Sequence, residues 1–219
     1  MVAVEWFGHS CYLIRGNDMA IVTDPFGPKA GLHYPAIDVQ ADLVLVSHEH
    51  SDHNCASAVR GSPKVIRGQG EWSTPTTVKG ITANHDAKGG SLRGKTTIYV
   101  FTVDGVTFCH LGDLGEVPSD DVAKRIGSVD VLMIPVGGIF TIDHEGADAV
   151  IALLRPKMVI PMHYWTKFSG LRLDPVDKFT SGKKNVRFEK TNHLAVDRGT
   201  LPSSTEIVVL FPPGRDGGN

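Results

Sequence analysis

The chain has few cysteines, and they lie far apart. Its 219 residues include three, Cys11, Cys55 and Cys109, and no two of them form a Cys-x-x-Cys pair. This spacing excludes a zinc site made of paired cysteines and gives no support to a disulfide framework. We therefore expect reduced thiols that pack in the core or line a site, as in a cytoplasmic protein.

Long apolar segments are also missing. The most apolar stretch, residues 129–140, is interrupted by Asp130, Pro135 and two glycines, and it is too short to span a bilayer. The first residues do not contain the basic segment and apolar core that a signal peptide requires. The sequence therefore predicts no membrane association, and the cytoplasm is the expected compartment.

Charge of one sign is not concentrated anywhere in the chain. There are 22 Lys and Arg residues against 24 Asp and Glu, and no run of basic residues exceeds two. Because proteins that bind nucleic acid usually carry a basic patch, we expect no nucleic-acid partner. Length and composition favour a single domain over residues 1–211, followed by a disordered Pro- and Gly-rich tail at 212–219.

What the chain does contain is a dense group of histidines and acids after an apolar run. Residues 43–46 are Leu-Val-Leu-Val, a pattern typical of a strand buried on both faces. His48, His50, Asp52 and His53 follow directly, in the order His-x-His-x-Asp-His. Imidazole is the commonest protein ligand of mid-row divalent metals, and a neighbouring carboxylate suits zinc, manganese or iron. The motif therefore predicts a metal site at a strand end.

Three later strand ends carry the same residue types. They are His85 after a predicted strand at 76–84, Asp113 after one at 106–111, and His163 after one at 157–162. Taken singly, each fits a hydrogen-bonded loop residue as well as a metal ligand. One ion cannot bind all four residues of the His-x-His-x-Asp-His motif, so further ligands are required, and these strand ends are the candidates.

The whole pattern predicts an α+β protein in which strands dominate. Strands are predicted at 2–7, 10–15, 20–24, 41–47, 64–67, 76–84, 96–103, 106–111, 129–136, 157–162, 186–189 and 205–211. Helices are predicted at 54–60 with Asn54 as its cap, 119–126, 145–154 and 175–179. The glycine-rich segment 86–95 is expected to be a mobile loop. The order of elements favours a sandwich of two mostly antiparallel sheets with helices on the outer faces.

With these motifs the sequence resembles the metallo-β-lactamase superfamily. The His-x-His-x-Asp-His motif, a later histidine, a Gly-Asp dipeptide and a histidine after a buried strand occur in that family's order. The segments Trp6–Cys11, Thr23–Pro25, Phe140–Thr141 and Pro156–Tyr164 are similar to one branch of it. That branch contains ascorbate-6-phosphate lactonase-like proteins and uncharacterised metal-dependent hydrolases. The resemblance implies a four-layer αββα sandwich with two mixed β-sheets flanked by helices.

The resemblance also implies a dinuclear metal site. It assigns His48, His50 and His85 to the first ion, Asp52, His53 and His163 to the second, and Asp113 to a bridge between both. The expected cofactors are two divalent ions, zinc in the first place, with manganese or iron as alternatives. A hydroxide between the ions would attack the substrate, and Asp52 would orient it or accept its proton.

The activity implied is hydrolysis of a small-molecule carbonyl compound, namely a lactone, an ester or an amide. Two alternatives stay open: a phosphodiesterase or nuclease that uses the same ions, and a non-hydrolytic metal-binding protein. Lys88, Arg93 and Lys95 are candidate contacts to an anionic substrate, although a solvated loop is the more ordinary explanation for them.

Three further residues are candidates for positions along the pocket wall or behind the metal ligands. His9 lies in an N-terminal motif of the same branch, and His110 stands three residues before Asp113. For both, a purely structural role is an equal alternative. Asp24 is expected to accept a hydrogen bond from the free ring N–H of a metal-binding histidine, a partner that such imidazoles usually have.

Overall fold

Fourteen strands and three α-helices form the regular structure of residues 1–214, the part of the chain that the computed structural model describes. The strands are β1 (Val2–Gly8), β2 (Cys11–Arg15), β3 (Ala20–Thr23), β4 (Leu43–Val46), β5 (Lys64–Arg67), β6 (Gly70–Ser73), β7 (Thr77–Asn84), β8 (Lys95–Val103), β9 (Val106–His110), β10 (Val131–Pro135), β11 (Met158–Met162), β12 (Val186–Phe188), β13 (His193–Val196) and β14 (Glu206–Val209). The helices are α1 (Asp120–Ile126), α2 (His144–Leu154) and α3 (Val176–Thr180).

The strands form two mixed sheets. One has the order β13-β1-β2-β3-β4-β5, and the other has the order β12-β14-β11-β10-β9-β8-β7-β6. The α+β class, with two mixed sheets and flanking helices, is confirmed. The expectation from the element pattern that pairing would be mostly antiparallel is wrong, because six of the twelve strand pairs are parallel.

Helical crossovers connect the strands of two of these parallel pairs. Helix α1 connects β9 to β10, and helix α2 connects β10 to β11, with all three strands parallel. A tight hairpin can join antiparallel neighbours, whereas parallel neighbours require a longer crossover, usually a helix. The parallel arrangement matters for the site, because the carboxyl ends of parallel strands meet at one edge of a sheet.

Large apolar side chains from both sheets pack between them. The rings of Trp6 and Tyr12 come from the first sheet and stack with centroids 6.4 Å apart. Phe101 and Phe108 come from neighbouring strands of the second sheet and stack at 5.7 Å. All four are at most 1% exposed and belong to one continuous core. Burial of this apolar surface is the main term that stabilises the sandwich.

The outer face of the first sheet is covered by a long connecting segment. Leu13, Val22 and Val44 point to this face and pack against Phe26 and Tyr34. A second connection, between β4 and β5, carries a short 3₁₀ helix at Ala56–Ala58, whose alanines pack against the same cluster. Burial on both faces accounts for the continuous apolar run in β4, as the sequence predicts.

The predicted helix at 54–60 is wrong in extent and in its cap. The chain forms a single 3₁₀ turn there, with no side-chain cap, and Val59 is already extended. Asn54 Nδ2 instead donates 3.0 Å to the carbonyl of Glu49. The side chain therefore holds the histidine loop closed through its amide N–H, and its oxygen caps no helix.

Side chains cap the two longer helices at their first turns. Ser119 accepts a hydrogen bond from Val122 N at the start of α1, and Gly127 ends that helix with φ 75°. Asp143 caps α2, which begins at His144, one residue before the predicted start. None of the helices in residues 1–214 has the length and apolar character needed to cross a bilayer.

Two edge strands escaped prediction. β6 has a Gly-Glu-Trp-Ser sequence, and β13 has His-Leu-Ala-Val; both are four residues long and half exposed. β13 pairs with β1 near the other end of the chain. So short a strand carries little periodic pattern of its own, and its partner is remote in sequence.

The predicted disordered tail at 212–219 is described only over its first three residues. Residues 212–214 are half-buried. Gly214 lies against the ring of Phe168 so closely that a side chain there would overlap it. Residues 215–219 lie outside the described part of the chain.

Candidate metal centre

The predicted ligands lie at strand ends along one edge of the sandwich. The loop 47–53 follows β4, His85 follows β7, Asp113 follows β9 and His163 follows β11. His9 follows β1 and is also part of the group, with its backbone in the left-handed region at φ 52°. The fold therefore brings together residues from five separate segments of the chain.

One group of ring nitrogens belongs to His48, His50 and His85. His48 Nε2 lies 2.9 Å from His50 Nδ1, and His85 Nε2 lies 3.2 Å from the same atom. His50 is exposed, whereas the other two are buried. Three imidazole nitrogens thus converge, with one side of the group open to solvent.

A second group belongs to His9, Asp52, His53 and His163. Their ligand atoms all lie within 4.8 Å of one another. Asp52 Oδ2 lies 3.2 Å from His9 Nε2 and 3.6 Å from His53 Nε2. His9 had been considered only as a pocket-wall or supporting residue, yet the structure places its ring inside this group, 4.1 Å from that of His163.

Asp113 lies between the two groups. Its Oδ1 is 3.3 Å from His53 Nε2, and its Oδ2 is 3.3 Å from His163 Nε2 and 3.4 Å from His85 Nε2. The carboxylate therefore reaches histidines of both groups, which is the position that a bridging ligand requires.

The donor atoms at this centre fit divalent metal ions. His53 Nε2 and Asp113 Oδ1 are buried, face each other at 3.3 Å, and have no hydrogen-bond partner among the described residues. Buried polar atoms without a partner are costly and rare. A mixed imidazole and carboxylate set with two such atoms converging is the chemistry of a zinc, manganese or iron site. The cluster is able to bind metal ions.

Burial keeps several of the histidines neutral. Desolvation, followed by the charge of His163, lowers the pKa of His9 to about 4. Desolvation, followed by the charge of His53, lowers the pKa of His48 to about 3. Desolvation also lowers the pKa of His85. Because a metal ion binds the neutral imidazole, these rings need not lose a proton first at neutral pH.

The two acids are held ionised. Burial acts to raise the pKa of Asp113, but the charges of His163 and His53, each 3.3 Å away, outweigh it and hold that pKa well below its usual range. Burial also opposes ionisation of Asp52, whose pKa is nevertheless lowered because of the hydrogen bond from His9 and the charge of His53. Ionised carboxylates are the form that coordinates metal and accepts protons.

Asp24 supports His53 from behind. Its Oδ2 accepts a 2.9 Å hydrogen bond from His53 Nδ1, and both side chains are fully buried. Ser47 adds a 2.7 Å bond from its backbone N–H and a 2.6 Å bond from its hydroxyl to the same carboxylate. Burial acts to lower the pKa of His53, but the charge of Asp113, together with the hydrogen bond and charge of Asp24, raises it well above the usual value. The sequence did not indicate this supporting role of Ser47, although Ser47 directly precedes the motif.

His110 has a different position. Its Nε2 donates 2.9 Å to the carbonyl of Ser10, and its Nδ1 accepts a 3.2 Å bond from Gly112 N. Both ring nitrogens are thus committed to the backbone, and the ring belongs to neither ligand group. Of the two roles considered for His110, the geometry favours the structural one, in which it connects the end of β9 to the segment that bears His9.

The loop after His85 is organised around Asp86 and does not match the expected mobile segment. The carboxylate of Asp86 accepts backbone hydrogen bonds of 2.8 to 3.1 Å from Lys88, Gly90, Leu92 and Arg93. Desolvation acts to raise the pKa of Asp86, but these four N–H groups lower it. The ring of bonds fixes the loop beside the ligand groups.

A cavity of about 160 Å³ opens onto the centre. It is lined by His50, Asp52, His85, Arg93, Asp113, Phe140, His163 and Leu171. Phe140 belongs to a segment that the sequence had marked as similar to known hydrolases, whereas Leu171 lies in an irregular segment that carries no motif. The ligand atoms are therefore accessible to a small molecule.

Comparison with known proteins identifies the family of the chain. The family described as beta-lactamase superfamily domain matches residues 3–163. A UPF0173 metal-dependent hydrolase from Thermococcus kodakarensis is 31% identical over 195 residues, covering 76% of this chain and 86% of the relative. A UPF0173 metal-dependent hydrolase from Nitratidesulfovibrio vulgaris is 32% identical over 193 residues, covering 74% and 80%.

A solved structure extends the similarity to nearly the whole chain. It is a proposed zinc-dependent hydrolase of the metallo-β-lactamase superfamily from Thermotoga maritima, with 36% identity and a TM-score of 0.81. The match covers 96% of this chain and 98% of that one. Sequence, fold and clustered ligands agree: the chain belongs to the metallo-β-lactamase superfamily.

Proposed function

We propose that the protein is a metal-dependent hydrolase that cleaves a small carbonyl compound, a lactone, an ester or an amide, with two divalent ions. The observation that carries this proposal is the position of Asp113, with one carboxylate reaching histidines of both ligand groups at the base of an open cavity. Relatives and the Thermotoga maritima structure bear names of metal-dependent or zinc-dependent hydrolases, which supports the same reaction class.

The proposed ligand sets are the two groups without His9, which is hydrogen-bonded to Asp52. The residues proposed for one ion are His48, His50 and His85, those for the other are Asp52, His53 and His163, and Asp113 serves both. The nitrogen and oxygen donors suit zinc best, with manganese and iron as alternatives. When bound, such a pair of ions lowers the pKa of water toward neutrality and polarises a carbonyl oxygen.

The residues of the chain supply proton handling and orientation. Asp52 is ionised, and its side chain is 19% exposed and lines the cavity, so it can accept the proton of the attacking water. His9 is fully buried and bonded to that carboxylate, so it fixes the direction of Asp52 and does not reach the substrate. Asp24 fixes the ring of His53 in the same way.

The cavity favours a small substrate. Sites for drug-sized ligands measure about 300–1,000 Å³, and the cavity here holds about 160 Å³. A substrate of this size presents one reacting carbonyl to the centre. The carbonyl is attacked directly by water, so no serine or cysteine nucleophile is required.

The test is a hydrolysis screen of the metal-loaded protein. A lactone, a thioester, p-nitrophenyl acetate and bis-p-nitrophenyl phosphate are assayed with Zn²⁺ and Mn²⁺ separately, before and after chelation. We expect turnover of carbonyl substrates that is lost on chelation and restored by metal. Turnover of the phosphodiester alone, or carbonyl turnover that persists without metal, would overturn the proposal.

A pair of variants distinguishes hydrolysis at this site from the activity of a contaminating enzyme. Asp113→Asn should lower carbonyl turnover by two or more orders of magnitude, whereas His193→Gln should leave it unchanged. His193 lies in β13 with a side chain 61% exposed and serves as the matched control.

A further inference from the structure

Arg93 lines the cavity that opens onto the candidate site. Of the eight residues that line the 160 Å³ cavity in the described chain, it is the only Lys or Arg. The same residue also lines an adjoining cavity of about 660 Å³, and His50 is shared between the two. Arg93 therefore lies at the junction where a substrate bound at the ligand groups extends outward.

The guanidinium of Arg93 is held in place without a carboxylate partner. Its Cζ lies 4.5 Å from the centroid of the Phe140 ring, a cation–π distance. Among residues 1–214 no acid forms an ion pair with it. An arginine that is stacked on an aromatic ring keeps its planar row of N–H donors free for a carboxylate or a phosphate.

The neighbouring cations have partners of their own. Arg67 Nη1 lies 2.7 Å from Glu49 Oε1. Lys95 Nζ donates to Asn84 and to the carbonyl of Gly89. Both line the larger cavity, but their hydrogen-bonding capacity is partly used. Of these three cations, Arg93 is the one whose side-chain N–H donors are free to bind an anion.

The backbone around Arg93 is fixed as well. Arg93 N donates 2.8 Å to Asp86 Oδ2, and the carbonyl of Gly94 accepts from His85 N at 3.1 Å. The bond from His85 ties the loop directly to the candidate ligand region. A donor whose position is set before binding loses less entropy when the ligand arrives.

We propose that Arg93 recognises an anionic oxygen group of the substrate, a carboxylate or a phosphate, placed a few atoms from the scissile carbonyl. This inference rests on the proposed hydrolase function, because it names the substrate class of the same site. The substrate is therefore a small organic acid derivative or a phosphorylated compound, with its reacting carbonyl at the ligand groups and its anion against the guanidinium.

The test uses equilibrium binding to the zinc-loaded protein with three probes of similar length. Butyrate has one carboxylate, succinate has two, and 3-phosphonopropionate carries a phosphonate at the far end. We expect the wild type to bind at least one of the two doubly anionic probes about tenfold or more tightly than butyrate, since charge-assisted bidentate bonds are the strong ones. Preference for succinate identifies a carboxylate as the anion, and preference for the phosphonate identifies a phosphate.

Three variants test whether the preference for a doubly anionic probe depends on Arg93. Arg93→Gln should abolish it, and Arg93→Lys should keep part of it because the charge remains while the planar fork is lost. Lys88→Gln removes the same charge from an exposed position of the same loop that lines neither cavity, and it should retain the preference. Absence of the preference in the wild type, or its persistence in Arg93→Gln, would overturn the inference.

The result is independent of turnover. If the anion preference depends on Arg93 but no carbonyl substrate is hydrolysed, the proposed hydrolase reaction fails while the anion site stands. If esters are hydrolysed but the preference is unaffected by Arg93→Gln, the anion site fails while the hydrolase proposal stands.

Discussion

The Asp24 carboxylate lies 2.9 Å from His53 Nδ1, and both side chains are completely buried. Asp24 adopts a left-handed backbone conformation, φ 39°, at the end of β3, which turns its carboxylate toward the loop after β4. Non-glycine residues rarely adopt this conformation, although Asp and Asn tolerate it best. The contact leaves Nε2 of His53 directed at Asp113.

Loss of the Asp24 charge should weaken metal binding. We expect Asp24→Asn to lower the metal affinity of the ion position to which His53 is assigned by about 10- to 100-fold. This is the usual cost when a metal-binding histidine loses its hydrogen-bond partner. Asparagine keeps the backbone conformation and one acceptor oxygen, so the fold should persist. Chelator competition measures the affinity, and Asp38→Asn, an exposed carboxylate paired with Arg60, is the control. Equal affinities in both variants would contradict this role.

A separate prediction follows from the hydrogen bond between His9 and Asp52. His9→Asn should lower metal affinity at the position of Asp52 and His163 by about tenfold, because the carboxylate loses the partner that directs it. The ion position formed by His48, His50 and His85 should keep its ion. Metal content after dialysis against a weak chelator shows which of the two positions has lost its ion. Retention of both ions at wild-type strength would show that the His9 contact does not support Asp52.

The loop around Asp86 should open when that carboxylate is removed. Asp86→Ala is expected to lower the exchange protection of the amides of Lys88, Gly90, Leu92 and Arg93 by about tenfold or more, since all four lose the same charged acceptor. Hydrogen exchange measures this, with Asp86→Asn as an intermediate case. Unchanged protection in the alanine variant would mean that other contacts hold the loop.

The three cysteines should differ in reactivity. Cys11 and Cys109 are fully buried, and burial raises the pKa of both thiols above the usual value. Because a raised pKa keeps the thiol protonated, neither should react with iodoacetamide in the native protein even at pH 9. Cys55 is half-exposed and should be alkylated first. Mass spectrometry locates the label, and early modification of Cys109 would contradict the packing of the second sheet.

The strand-end residues show how much of the site the sequence predicts. The apolar run in β4 and the turn after it locate the motif 48–53, and His85, Asp113 and His163 stand where buried or half-buried strands end. These predictions depend on short-range pattern only, and the structure brings the four segments together.

What escaped prediction depends on contacts remote in sequence. Asn54 has the residue type of a helix cap, but its amide is used by Glu49. The parallel pairing of β9, β10 and β11 follows from the crossovers of α1 and α2, and the strand sequences themselves do not show it. Leu171 reaches the cavity from an irregular segment. The position of Arg93 depends on how its loop wraps around Asp86, which composition does not encode.

The central claim is a centre for two ions bridged by Asp113. Its most direct measurement is the number of zinc ions per chain after saturation and gel filtration, combined with anomalous scattering to locate them. The account predicts two ions in the wild type, one beside His48, His50 and His85 and the other beside Asp52, His53 and His163. In Asp113→Ala it predicts one ion or none, with the fold checked by circular dichroism. A single ion in the saturated wild type, or two tightly bound ions in Asp113→Ala, would contradict it.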